Sequence, residues 1–126
     1  MTSATTTGTS VSTGTIKGYH AHVYFDADQR DEAMALREAV SELIPEAELG
    51  RVHDGPIAFH TAPMYQIAIT PEHFAELIPW LMLERGSLRI LVHPLTGDPW
   101  LEHTDQALWL GEPVPIDLEK LRRVAA

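Results

Sequence analysis

From Gly18 onward the hydrophobic period of the chain switches between two and about 3.6 residues, and the order of those switches leaves few folds open. Tyr19 to Phe25 (YHAHVYF) alternates, with Tyr19, Ala21, Val23 and Phe25 on one side and His20, His22 and Tyr24 on the other. That is a period-two strand. Asp28 is a candidate cap for a helix reaching about Ile44, whose apolar positions Ala33, Leu36, Val40, Leu43 and Ile44 recur at helical spacing before Pro45 ends it. Residues 47–54 (AELGRVHD) read as a weaker strand, interrupted by Gly50. A Gly/Pro-bounded loop over 55–63 carries His60, and Met64 to Ile69 is a third strand. Thr70-Pro71-Glu72 opens a second helix with a buried stripe of Phe74, Leu77, Ile78 and Leu81, stopped by Gly86. Leu88 to His93 is a fourth strand.

The order β-α-β-β-α-β is that of an α+β, ferredoxin-like fold. Its four strands lie antiparallel in the order 4-1-3-2, and both helices cover one face. Residues 18–126 make one domain of ordinary size, with an irregular extension from about residue 94 and a last helical turn from Leu118. Residues 1–17, almost all Ser, Thr, Gly and Ala, read as a disordered tail.

This topology decides where the histidines go. Val23, Phe25, Ile67, Ile69, Ile90 and Val92 face the helices. The other face collects His20, His22, Tyr24, Gln66, Arg89, His93 and, from the weaker strand, Arg51 and His53. Strand 4 runs antiparallel beside strand 1, so its C-terminal His93 meets His20 and His22. Two imidazoles at i, i+2 on a strand share a face about 7 Å apart and can converge on one ion. A third from the neighbouring strand completes a facial set with open positions. An H-x-H pair on a strand is also commonly just a solvated pair. An uncovered sheet face usually needs a partner, so a homodimer is expected.

Composition narrows the chemistry. There is no cysteine among the 126 residues, which removes disulfides, thiolate zinc sites and iron–sulfur clusters, but there are seven histidines. Any transition metal must therefore be held by imidazole and carboxylate. The net charge of −9, with no basic run, makes nucleic acid and anionic membranes poor partners. No stretch is apolar enough to span a membrane and no signal peptide is visible, so a cytoplasmic location is expected. His73 reads as a surface residue; Trp80 and Trp109 read as packing residues, and Trp100 as a possible pocket wall.

Four segments, GYHAHVYFDAD (18–28), RVHDGPIAFHTAPMYQIAIT (51–70), PWLMLERGSLRILVHPLTGD (79–98) and HTDQALWLGEPVPID (103–117), resemble the DOPA 4,5-dioxygenase family. The resemblance runs in order from about Gly18 to Asp117. It implies extradiol cleavage of a catechol, both atoms of O₂ entering beside rather than between the two hydroxyls, at a non-heme Fe(II) or another divalent metal. It also implies that His20, His22, His53, His60, His93 and His103 belong to the functional set, with His73 outside it. On that basis His20, His22 and His93 are expected as metal ligands, and His60 or His103 as the acid–base residue. His53, Arg51 and Arg89 are expected to meet the substrate. A carboxylate from Asp26, Asp98, Glu102 or Asp105 is the alternative third ligand. The chain departs from the family pattern at AFHTAP (58–63) and PWL (99–101), where a substrate would be sorted. The competing reading is a non-catalytic metal- or small-molecule-binding module on the same fold.

Overall fold

The computed structural model describes residues 12–125, so the larger part of the expected disordered tail, 1–11, lies outside the described residues. Residues 12–17 carry a 3-10 turn at Thr13–Thr15, capped by the Ser12 side chain, and Lys17 N–H donates to Leu95 C=O at 3.0 Å.

The ordered elements are β1 (Tyr19–Tyr24), α1 (Arg30–Leu43), β2 (Glu48–Leu49), β3 (Met64–Ile69), α2 (Phe74–Glu84), β4 (Arg89–Pro94), α3 (Pro99–His103), β5 (Leu108–Leu110) and α4 (Leu118–Ala125). The sheet is antiparallel with order β2-β3-β1-β4-β5. The four strands expected from periodicity keep their expected order. β5 extends the sheet beyond β4.

Alternation in β1 and β3 sends Ala21, Val23, Tyr65, Ile67 and Ile69 into a core closed by Ala33, Leu36 and Val40 of α1 and Leu77, Ile78 and Leu81 of α2. Each fully buried aliphatic side chain there contributes about 1.5–3 kcal/mol. The Tyr65 hydroxyl donates to Ala33 C=O at 2.8 Å and bolts β3 to α1. The first helix is entered through a 3-10 turn at Ala27–Gln29, and Asp26 with Gln29 forms the capping box where Asp28 was expected to cap. Past α2, Gly86 takes φ +59°, and a Cβ there would collide with the Glu32 carboxylate, which accepts the Ser87 N–H and O–H.

Two expectations are corrected. The second strand shrinks to Glu48–Leu49, with an isolated bridge from His53 to Met64. Between Gly50–Gln66 and His53–Met64 the pairing slips by one residue, a bulge at Arg51–Val52 opposite Tyr65. A one-residue slip moves a side chain to the other face of the sheet. Leu49 and Val52 thus pack on the helix-side core while His53 turns to the face of Met64. Without the bulge the alternation that buries Leu49 would bury His53 as well.

The second correction concerns the other face, which is covered in part by the chain itself. Residues after β4 are not irregular: they form α3, β5 and α4. Asp98 caps α3 through the Leu101 N–H, and Pro99 occupies its first turn. The segment before α4 then crosses the sheet. Asp117 N–H donates to Phe59 C=O at 3.0 Å, Ile116 bridges His60, and the Thr61 hydroxyl donates to Pro115 C=O. Beneath it Tyr24, Met64, Leu91 and Val114 form a second apolar cluster flanked by Ala62, Trp109 and Ile116. The face around Tyr24, Met64 and Leu91 is thus covered within the chain, while His20, Gln66 and Ala68 stay partly exposed.

Candidate metal centre

The end of the sheet where β1 begins and β4 finishes is where the polar side chains gather. His20 pairs directly with His93 across the two strands, as the topology requires, and His22 lies two residues on, opposite Leu91 on β4 and Gln66 on β3. The capping segments bring in two more imidazoles. His60 comes from the tight turn Ile57–His60, whose end residues exchange both backbone hydrogen bonds, and His103 from the last turn of α3. The rings of His22 and His93 are stacked at 5.1 Å and those of His93 and His103 lie 4.1 Å apart. His22 and His60 are 4.6 Å apart, and His20 stands 5.2 Å from His93. Phe59 packs against both His60 and His103.

Burial makes these imidazoles neutral. His22, His60 and His93 are 3%, 7% and 1% exposed, so protonation would leave a poorly solvated cation beside other imidazoles. Desolvation first, and then its neighbours, hold His22 well below the usual histidine range. The same causes push His93 to about 3 and His60 to about 4. His20 and His103 are lowered too, chiefly by burial, with the Glu102 carboxylate opposing the fall at both. A neutral imidazole is the form that binds a metal ion.

Hydrogen bonds assign the nitrogens. His93 Nδ1 lies 3.0 Å from Pro94 C=O, so it carries a proton and donates, leaving Nε2 as a lone pair. His103 Nδ1 donates likewise to Pro99 C=O at 2.7 Å. Nε2 of His93 and Nε2 of His22 converge to 3.0 Å. Two nitrogen ligands at right angles about an ion, with bonds of ~2.1 Å, sit ~3.0 Å apart. His20, His22 and His93 each offer a ligand nitrogen, all within 4.8 Å of one another. His22 Nδ1 is buried with no hydrogen-bond partner among protein atoms. The residues present therefore fit a divalent cation. A second grouping, His93, Glu102 and His103, meets the same distance limit.

A cavity of about 240 Å³ adjoins the cluster, with His22, His53, His60, Arg51 and Gln66 among its polar lining and Ile57 and Met64 as apolar walls. A volume at the small end of ligand sites suits a single ring. His53, brought to this face by the bulge, thus lines the cavity together with His22 and His60. Arg89 starts β4 opposite Tyr24, four residues from His93 and so roughly 13 Å along the strand, and does not line that cavity. Of the four carboxylates considered as ligands only Glu102 reaches the histidines: Asp26 and Asp98 cap helices, and Asp105 is exposed. His73 is partly exposed beside Glu76, away from the cluster. Trp100 carries the Arg122 guanidinium 4.7 Å from its ring centroid.

Alternation places one further functional candidate on the histidine face without giving it a role. The Tyr24 hydroxyl, on the same face as His22, lies 2.7 Å from His60 Nδ1, and burial pushes its ionisation far up. Only the fold of the 57–60 turn over β1 creates that pair.

The chain is similar to known proteins over most of its length. A model of the Dopa 4,5-dioxygenase family matches residues 19–120. A protein of Amanita muscaria named DOPA 4,5-dioxygenase is 35% identical over 114 residues, which cover 84% of this chain and 50% of that protein. An uncharacterized 21.2 kDa protein of Botryotinia fuckeliana is 34% identical over 117 residues, covering 84% of this chain and 64% of its own length. The chain thus spans about half to just under two thirds of these curated relatives. A crystal structure from Nostoc punctiforme, described as that of a candidate dioxygenase, superposes with a TM-score of 0.88 at 46% identity, covering 91% of this chain and 99% of that one.

Proposed function

The chain belongs to the Dopa 4,5-dioxygenase family, and from that membership together with the histidine cluster we propose that it opens a catechol ring by extradiol cleavage with O₂. The observation that carries the proposal is the convergence of His22 and His93 Nε2 at 3.0 Å with His20 beside them. In the proposed reaction the ring carbon–carbon bond next to one hydroxyl-bearing carbon breaks. Both atoms of O₂ enter the product, and the four electrons that reduce O₂ come from the ring, so no external reductant is consumed. Ferrous iron, when held by His20, His22 and His93, would supply binding positions for the two catechol oxygens and for O₂.

The chain's own residues then divide the remaining work. His60 faces both cluster and cavity, and burial keeps it unprotonated at neutral pH. It is the proposed acceptor of a catechol proton at Nε2, with Nδ1–H donated to Tyr24 Oη. A phenol can accept and donate, so Tyr24 holds the ring in either protonation state. Because His60 is a weak base, it returns that proton readily as the ring opens. His103, with Nδ1 held by Pro99 C=O, is the alternative acid–base group. Arg51 at the cavity mouth and His53 on its wall are the proposed contacts to the substrate's substituent, and the placement of Arg51 favours it over Arg89. The element order supports a ferredoxin-like core extended by β5.

The test is anaerobic reconstitution with ferrous iron, followed by air and a panel of catechols including DOPA, caffeate and protocatechuate. A yellow ring-opened product with matching O₂ uptake is the expected result. Stoichiometric iron with no turnover on any catechol would place the binding-module reading ahead.

A further inference from the structure

Glu102 is the sole buried carboxylate among the described residues, 6% exposed in α3, and it stands among three of the histidines. We infer that Glu102 is the counter-charge of the metal centre, a carboxylate behind His93 that balances the cation's charge without ligating it. The inference rests on the reading that the cluster holds a divalent cation. Its geometry separates it from a ligand role. Glu102 Oε2 accepts the Thr96 and Gly97 N–H groups at 2.8 and 2.9 Å, and Oε1 lies 4.0 Å from His93 Nδ1. That nitrogen already donates to Pro94 C=O, so the carboxylate sits on the N–H side of the ring, while the lone pair at Nε2 faces His22. For His93, Glu102 and His103 to share an ion through their Nδ1 atoms, both imidazoles would have to give up their carbonyl partners.

The chemistry calls for such a group. A divalent cation among neutral imidazoles is a buried charge with no counter-ion, which is costly unless an anion stands near. Pro94 C=O takes the His93 N–H and so orients that ring, while Glu102, with Oε1 4.0 Å from Nδ1, contributes its negative charge, which a low-dielectric surrounding leaves poorly screened. The two backbone N–H bonds fix Glu102 from the β4–α3 turn, so it is preorganised whether or not an ion is bound.

Glu102→Gln separates charge from shape, since an amide oxygen can still accept both N–H groups. Cobalt(II), titrated into the metal-free full chain, serves as the probe, read by its visible absorption and by the melting temperature of each metal-free protein. The expected result is a Kd raised by about tenfold or more through loss of a nearby negative charge, with the absorption bands unchanged in shape and the metal-free melt unchanged. Equal affinity in wild type and variant would reduce Glu102 to a brace for the Thr96–Gly97 turn, leaving the metal centre intact. A changed band pattern would make it a ligand. A wild type without saturable cobalt bands would remove the metal centre itself, and this inference with it. Should Glu102→Gln fail to fold, Glu102→Asp against Glu102→Asn compares charge at equal length: the Asp variant should bind tighter, and equal affinities would overturn the inference.

Discussion

His22 is hemmed in by other imidazoles. It is buried, its Nε2 meets His93, its other nitrogen has no protein partner, and its ring contacts those of His20, His60 and His103. His20→Ala and His22→Ala should each reduce the metal retained after reconstitution to background, measured by elemental analysis of the gel-filtered protein. Retention in either variant, with loss in His53→Ala, would put the centre at the other side of the cavity. Tyr24 makes a different demand. Tyr24→Phe keeps the ring packed on Trp109 and removes only the hydroxyl at 2.7 Å from His60. On whichever catechol turns over, kcat should fall by about tenfold or more while KM and metal content hold, a part of the ~10²–10⁴ that a positioned acid–base group supplies. An unchanged kcat would remove His60 from proton transfer or Tyr24 from holding it.

At the scale of elements, two short pieces that periodicity does not resolve add to the three histidines of β1 and β4. The Arg51–Val52 bulge delivers His53 to the histidine face, and the Ile57–His60 turn delivers His60. That turn holds Ala58 at φ +53°, a left-handed conformation that favours glycine. Ala58→Gly should therefore stabilise the metal-free protein by up to about 1 kcal/mol, visible as a melting temperature higher by a few degrees. A lower melting temperature would mean that the methyl group is needed for packing more than the backbone is strained. The elements with long periodic patterns, β1, β3, β4, α1 and α2, were legible because each buries one stripe against the core. β2, α3 and β5 span two to five residues, too short for a period to register, and their pairing is set by partners distant in the chain.

For the whole molecule, the neutral histidine cluster couples folding to acidity. In the unfolded chain each histidine takes up its proton near 6.5, whereas in the fold His60 does so only at about 4 and His93 at about 3, and His22 is also well below 6.5. Below 6.5 the unfolded state therefore binds more protons than the folded one, so stability falls with falling pH. The metal-free protein should be fully stable above about pH 6.5 and lose stability as the pH drops toward about 3, by at most ~1.4 kcal/mol per pH unit for each histidine engaged. Thermal melts from pH 8 to pH 5 check this, and a flat profile below 6.5 would show that the cluster is solvated.

Local pattern was enough to determine the α+β architecture, the faces of the principal strands and the meeting of His20, His22 and His93, because alternation and strand order are properties of short segments and their sequence. Family resemblance in the residues marked six histidines, though nothing local said how they meet. The tertiary structure alone decided that the histidine face is closed by residues 113–117, that a bulge turns His53 toward the cavity, and that Tyr24 meets His60. It also decided which of four carboxylates comes near the imidazoles. Those outcomes depend on contacts between residues tens of positions apart, where burial and the pairing of polar atoms select among arrangements that the local sequence leaves equally open.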